Sequence, residues 1–412
     1  MVIKKMNKIR FFVPFLTVAS MAITIALTSC SNPVTPDGTT LGMGSGQTPG
    51  EDNGNTPYSI IGELALLRQN AQSGTSHEIL VRNNEQFEST QVIHFPDRQD
   101  ITVTIRSSDN TRRILSVSGS HTMFQVQGHN ITLVLENITL QGHYGNQNSL
   151  VIVNQGSTLK METDSIIRGN HGRGVSVNGG TFIMNNNASV TANLGEGVHV
   201  GLNGRVYMND NARIHNNSAG VIAMHSILTM NDNAAIHHNH SIGDGLRAGG
   251  VFLSGPASRL FMYDFAQIHN NTATGGYRSA GGVLATNFGR IYMYGNASIN
   301  YNLLDSSTGS GGVTLVGGVL NMFNADVQVI NNASGGPPRM NAGVWVGNSP
   351  SEFNISGGTI STNWFIALYV ISSGSLPIAR EGVYIPSGGS APGTLGPPFI
   401  NLTTDWGPIV VP

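Results

Sequence analysis

Three columns of reactive side chains recur along this sequence of 412 residues. Asp210, Asp232 and Asp264 each lie two residues after a methionine, at matching places in successive segments. Carboxylates about 5 Å apart repel one another unless they bind a cation or share protons, and that separation also suits the carboxylate pair of a retaining glycosidase. Calcium-assisted lyase chemistry would need a Lys or Arg base beside them, and no basic residue occupies the same strand end in these segments. An Asp at a turn is also an ordinary Asx cap. His215, His237 and His269 form the second column, with His238 and His240 nearby. Each of the three follows an inward-facing Ile by one residue, so the imidazoles face outward, as stacked polar surface or as metal ligands. Stacked surface is the simpler role, and neither a metal nor a cofactor is expected. Gly-x-Ser-x-Gly, P-loop and His-Glu-x-x-His patterns do not occur.

The third column is aromatic: Tyr207, then Phe261 with Tyr263, Tyr292 with Tyr294, and Phe323. Such a ladder either stabilises a sheet face by its own stacking or offers a platform to sugar rings or a protein partner. Long loops nearby would decide between these by covering the stripe or leaving it open. After a recurring Asn the connection to the next strand has 4, 4 and 3 residues, then 11, 11, 10 and 11. Growth at one corner of a repeat is where binding commonly resides. These loops hold Asp244, Arg247, Tyr277, Arg278, Asp305 and Arg339, of which Arg247 and Arg278 join the aromatics as candidate ligand-binding residues.

The element that must position these columns is an internal repeat. Met161, Met184, Met208, Met230, Met262, Met293 and Met322, with Ile355 as an eighth anchor, are spaced by 23, 24, 22, 32, 31, 29 and 33 residues. An apolar residue stands two before each anchor (Leu159, Phe182, Val206, Leu228, Leu260, Ile291, Leu320, Phe353), which is the period of a strand. A Gly or Ser stands four before each, marking a turn. Beyond the anchor comes an Asn-rich turn and a branched residue (Ile166, Val190, Ile214, Ile236, Ile268, Ile299, Val329, Ile360). Three residues later, or four in the first repeat, every unit has an Asn: Asn170, Asn193, Asn217, Asn239, Asn271, Asn302, Asn332 and Asn363. A further strand such as Val251-Phe-Leu253 completes the unit. Three strands without a helix cannot bury an apolar face alone, but a coil stacked on the next coil can. The expected fold is therefore all-β, a single-stranded right-handed parallel β-helix with three strands per coil and an Asn ladder at one bend.

Composition agrees. Only 11% of the residues are charged, 39% are hydrophobic and 52 are Gly without a three-residue period, which excludes collagen and global disorder. The net charge is -2 and no basic patch follows the first ten residues, so nucleic acid is not an expected partner. One Cys excludes an intrachain disulfide framework.

That Cys has its own context. Lys4, Lys5, Lys8 and Arg10 precede an apolar run from Phe11 to Leu27, and Leu27-Thr-Ser-Cys30 follows. This resembles a bacterial lipobox behind a secretory signal, and the resemblance implies cleavage and lipidation at Cys30. Removing residues 1–29 leaves 17 basic against 23 acidic residues. The expected organisation is a signal peptide at 1–29, a flexible tether at 30–57, an N-terminal cap with less regular first coils at 58–120, the β-helix at 121–370 and a C-terminal cap or tail at 371–412. A short capping helix is expected over Ser59 to Ala71.

Residues 92–370 resemble the right-handed parallel β-helix repeat lipoproteins of bacteria, in the pectin-lyase-like fold group. Ile268-His-Asn-Asn-Thr-Ala followed by Ala280-Gly-Gly-Val-Leu is also similar to polymorphic outer-membrane-protein repeats, with Ile where those carry Phe. The resemblance implies a bacterial cell-envelope location, an outer-membrane lipid anchor through Cys30, and functions from adhesion to polysaccharide cleavage. The expected role is a surface or periplasmic display module that binds a glycan or protein. A polysaccharide-acting enzyme using the Asp column and a structural envelope protein are the alternatives.

Overall fold

The structure, a computed structural model, describes residues 59–306, 309–323, 326–330, 332–334, 343–346, 351–355, 359–362, 366–370, 377–380, 382–386, 401–404 and 407–409. The chain divides into Met1–Thr56 and Pro57–Pro412, and every described residue lies in the second unit. Cys30, Arg339 and Asn363 lie outside the described residues.

The second unit is a parallel β-solenoid of about nine turns. Its three main sheets contain 11, 13 and 13 strands among the described residues, and each coil contributes one strand to each sheet. The columns read from the sequence are the register of the first sheet. Leu159 pairs with Phe182, Phe182 with Val206, and so on through Leu228, Leu260, Ile291, Leu320 and Phe353. Met161 through Met322 and Ile355 pair in the same way two residues later. From Leu159 to Leu320 and from Met161 to Met322 both columns are buried, filling one wall of the core.

In the second sheet the column differs by one residue from the sequence reading. Ile167, fully buried, pairs with Val190, while Ile166 pairs with Ser189 and is half-exposed. Asn170 is thus three residues beyond the inward side chain, as in every later coil, and the apparent irregularity of the first repeat disappears. The alternation of a strand leaves no choice between two adjacent isoleucines once the neighbouring coil fixes the register.

The first coils are more regular than their sequence suggests. Ile101–Ser107 pairs with Ile131–Glu136, placing Val103 on Leu133 and Ile105 on Leu135. Ser76–Val81, which no repeat column marked, extends the same sheet. A helix over Ile60–Asn70 packs on this end, burying Ile60 and Leu64. The Ile60 amide donates to both carboxylate oxygens of Glu85 at 3.1 Å, so an anion sits on the helix N-terminus. At the other end Pro377–Arg380 pairs antiparallel with Gly382–Pro386, and Gly407–Ile409 with Asn401–Thr404. Gly382–Pro386 and Asn401–Thr404 still pair parallel with Ile366–Val370 and Thr359–Thr362, and their antiparallel partners occupy the last edges of these two sheets, where no further parallel strand follows among the described residues.

Candidate functional site

The bend after the second sheet is braced by the Asn column. Asn193, Asn217, Asn239, Asn271, Asn302 and Asn332 are buried, and each side-chain amide from Asn193 to Asn302 donates to the Oδ1 of the next Asn at 2.9 to 3.1 Å. The same oxygen also accepts the backbone N–H of the previous Asn, at 2.9 to 3.1 Å from Asn193 onward. From Asn217 to Asn332, Nδ2 reaches back to a carbonyl of the preceding coil, as Asn239 does to Ile214 at 3.0 Å. Asn170 starts the row: its Nδ2 donates to the Asn148 and Arg173 carbonyls, and its buried Oδ1 has no hydrogen-bond partner. A Gly opposite each amide leaves the space the bend requires. A methyl group on Gly250 would lie 2.6 Å from the Gly282 oxygen and 3.2 Å from Asn271 Nδ2.

The Asp column has become part of the backbone of a turn. Asp210, Asp232 and Asp264 are exposed and have φ of 55°, 53° and 53°, in the left-handed region that Asp tolerates well. The Asp210 carboxylate accepts the Asn186 N–H at 2.9 Å, and Asp232 accepts the Asp210 N–H at 3.1 Å. Asp264 accepts the Asp232 N–H at 3.4 Å. Each carboxylate therefore satisfies the turn of the preceding coil, which offsets the repulsion along the column. This is the arrangement of an Asx brace.

The imidazoles of His215, His237 and His269 stack with centroids 4.8 and 5.0 Å apart and planes within 8°. His238 stands edge-on to His237, with their Nδ1 atoms 2.8 Å apart. Burial, and then the neighbouring imidazoles and Arg213, push the pKa of His237 down to about 3. Burial likewise lowers His215 and His269. Stacked neutral rings are consistent with these shifts. Among the described residues no three His, Cys, Asp or Glu side chains form a group able to hold a metal.

The aromatic residues fall into two columns on the outer face of the first sheet. Phe261 stacks on Tyr292 at 4.9 Å, and Tyr263, Tyr294 and Phe323 stack at 4.9 and 4.7 Å, all with planes within 12°. Within one coil Phe261 and Tyr263 lie side by side at 6.3 Å and 9°. Rings stacked along the solenoid axis cover one another's faces and turn their edges outward. Tyr207 is not part of the stack, because Thr229 occupies the position between it and Phe261. In the coils before Tyr263 its position holds Glu162, Asn185, Asn209 and Asn231, joined by hydrogen bonds of 3.0, 2.8 and 2.7 Å. A half-buried amide row thus meets an aromatic row end to end.

Among the described residues the long loops do not cover these rings. They form a side sheet of their own, His240–Ile242, Thr272–Thr274, Leu303–Asp305 and Ala333–Ser334, and fold over the third sheet. There Ala248, Ala280 and Leu284 make a second small core with Phe252 and Val316. Arg247 lines a cleft of about 380 Å³ with Glu196, Ile222 and Phe252, while the Arg278 guanidinium lies over the Tyr277 ring at 4.7 Å. Arg247 and Arg278 are accordingly on the loop corner and the aromatics on the first sheet. The two sets of candidate residues do not form one site.

The side sheet and the outer amide row were not read from sequence. Their signals were present in the near-constant loop length and in the Asn after Met184, Met208 and Met230. Comparison with protein-family models, curated proteins and solved structures finds no match for the chain.

Proposed function

We propose that this protein is a lipid-anchored component of the bacterial cell envelope, surface-exposed or periplasmic, whose solenoid is a rigid module that displays a binding face to a glycan or protein partner. The observation that carries this reading is the half-exposed pair of aromatic columns, Phe261–Tyr292 and Tyr263–Tyr294–Phe323, on a sheet face that the described loop residues leave open. Apolar rings on a flat, ladder-stiffened sheet bind with little ordering cost, because their conformations are already fixed by stacking. The signal, lipobox and tether support anchoring. By analogy with other lipoproteins, Ser31 after the Cys favours the outer membrane.

The test is binding of the full chain, held in a zwitterionic detergent, to arrays of oligosaccharides and extracellular-matrix proteins. Binding that is lost in the Phe261→Ala, Tyr292→Ala double variant supports the reading; binding that survives in it places the binding face elsewhere. Incorporation of labelled palmitate in cells, absent in Cys30→Ala, tests the anchor.

A further inference from the structure

We infer that the gap at Thr229, where the outer aromatic column is interrupted, is a binding slot for one pyranose ring of a neutral glycan. This rests on the binding-face reading above and specifies where on that face, and with what, it binds. The outward positions of the first sheet run Tyr207, Thr229, Phe261, Tyr292 on four consecutive coils. One face of Phe261 is covered by Tyr292, and its other face is turned toward the coil of Thr229, a much smaller side chain. Tyr263 repeats the pattern, covered by Tyr294 on one side and turned toward the coil of Asn231 on the other. Phe261 and Tyr263 therefore make a nearly coplanar two-ring ledge at the point where the aromatic rows begin.

The dimensions favour a sugar. Phe261 and Tyr207 belong to coils two strand spacings apart, about 9.6 Å, so a ring entering edge-on at the level of Thr229 lies about 4.8 Å from each. A pyranose chair is thicker than a planar ring because its axial C–H bonds stand off both faces, and these bonds point into the negative faces of the aromatics. The rims match hydroxyl groups. Arg205 and Arg259 are the outward residues two positions before Tyr207 and Phe261, on either side of the half-buried Ile227 in the slot's own coil, and they supply donors along this side. On the other side Asn231 ends the amide row: its Nδ2 donates to Asn209, while its Oδ1 accepts no hydrogen bond among the described residues. Asp232 follows it, exposed. Cations on one rim and the Asp232 carboxylate on the other oppose one another in charge, whereas sugar hydroxyls can both accept from the arginines and donate to the Asn231 and Asp232 oxygens.

The slot also makes its own control, since a ring grown from position 229 would fill it in the register the ladder already uses. The probes are cellotriose, chitotriose and maltotriose, titrated calorimetrically into the full chain in zwitterionic detergent. At least one is expected to bind, with affinity reduced at least about tenfold, or about 1.4 kcal/mol, in Thr229→Tyr. Tyr144→Ala, which removes an exposed ring outside both aromatic columns, is expected to keep it. The thermal midpoint of Thr229→Tyr is expected to equal or exceed that of the wild type, so lost binding does not report unfolding. Undiminished binding by Thr229→Tyr overturns the slot while leaving the binding-face reading intact. Binding to a matrix protein with no affinity for any of the three sugars has the same effect. Absence of binding to every glycan and protein tested removes both.

Discussion

The backbone and side-chain amides of Asn271 both donate to Oδ1 of Asn302, each at 3.0 Å, and neither residue is more than 1% exposed. The two hydrogen bonds tie one coil to the next at the bend where regular strand pairing is interrupted. The Asn271 Nδ2 also donates to the Ile236 carbonyl at 2.9 Å, so one side chain joins three coils.

Removing that side chain leaves several buried polar groups without partners. Asn271→Ala is expected to destabilise the solenoid by about 3 kcal/mol, the cost of two or so unsatisfied buried groups. Chemical denaturation followed by far-ultraviolet circular dichroism measures it, and a broadened or two-phase transition is expected because coils interact mainly with their neighbours. A loss under about 1 kcal/mol would show that water replaces the amide.

The Gly facing each amide should be equally intolerant. A Cβ on Gly250 meets the Gly282 oxygen at 2.6 Å and the Ile268 Cγ2 at 2.7 Å, whereas one on Gly201 meets nothing within 4 Å. Gly250→Ala is expected to cost about 2 kcal/mol by overpacking, and Gly201→Ala to be neutral or slightly stabilising. Equal thermal midpoints for the two variants would contradict the packing described.

Aromatic stacking predicts an order rather than one value. Tyr294 is stacked on both faces, by Tyr263 and Phe323, whereas Phe261 is stacked on one face, by Tyr292. Tyr294→Ala should therefore cost about 2 kcal/mol and Phe261→Ala about 1 kcal/mol, with the order read from denaturation midpoints. The reverse order would mean that the rings contribute chiefly through contact with the sheet.

Acid should loosen the second sheet. His237 has its folded-state pKa depressed from 6.5 to about 3, so between these values the unfolded chain binds a proton that the folded chain refuses. Stability tied to this group is intact above about pH 6.5, falls as pH drops through that window, and levels off below about 3. His237→Asn places in the column the residue type that Asn300 already supplies beside His269. Its thermal midpoint is expected to fall less between pH 7 and 4, by about half or more, than that of the wild type. Parallel curves for the two proteins would assign the acid sensitivity to other groups.

Asp232→Asn bears on the enzymatic alternative. An amide oxygen can still accept the Asp210 N–H, and the column loses a charge between Asp210 and Asp264. Stability should be unchanged or raised by a few tenths of a kcal/mol. Unsaturated or hydrolysed products from acidic polysaccharides, formed by the wild type and abolished in this variant, would reverse the structural assignment of the Asp column.

The legible part of this fold was whatever repeats once per coil. Met161 to Met322 and Asn170 to Asn332 declared the first sheet and the braced bend, since a stacked position presents the same physical demand in every coil. Ile166 and Ile167 show the limit: both are branched and apolar, and only pairing with Ser189 and Val190 decides which enters the core. Ser76–Val81 was missed because it lies outside the region of clear recurrence. The destination of the long loops was hidden for another reason. Their apolar members, Ala248 and Ala280, are small, and the surface they cover, Phe252 and Leu284, belongs to a strand otherwise read only for its inward side. The direction of the ring faces, and hence the gap at Thr229, follows from three-dimensional stacking and has no counterpart in spacing along the chain.

Because Met meets Met, Asn meets Asn and Gly faces amide at successive junctions, coils with loops of the same length are interchangeable in their core and at the braced bend. A gene in which one whole coil is duplicated or deleted in frame would encode a chain whose remaining junctions are all still satisfied, whereas a slip of one residue would turn a core face outward. Such a gene can change the reach of its product by unequal crossing-over, one coil at a time, without first passing through a misfolded intermediate.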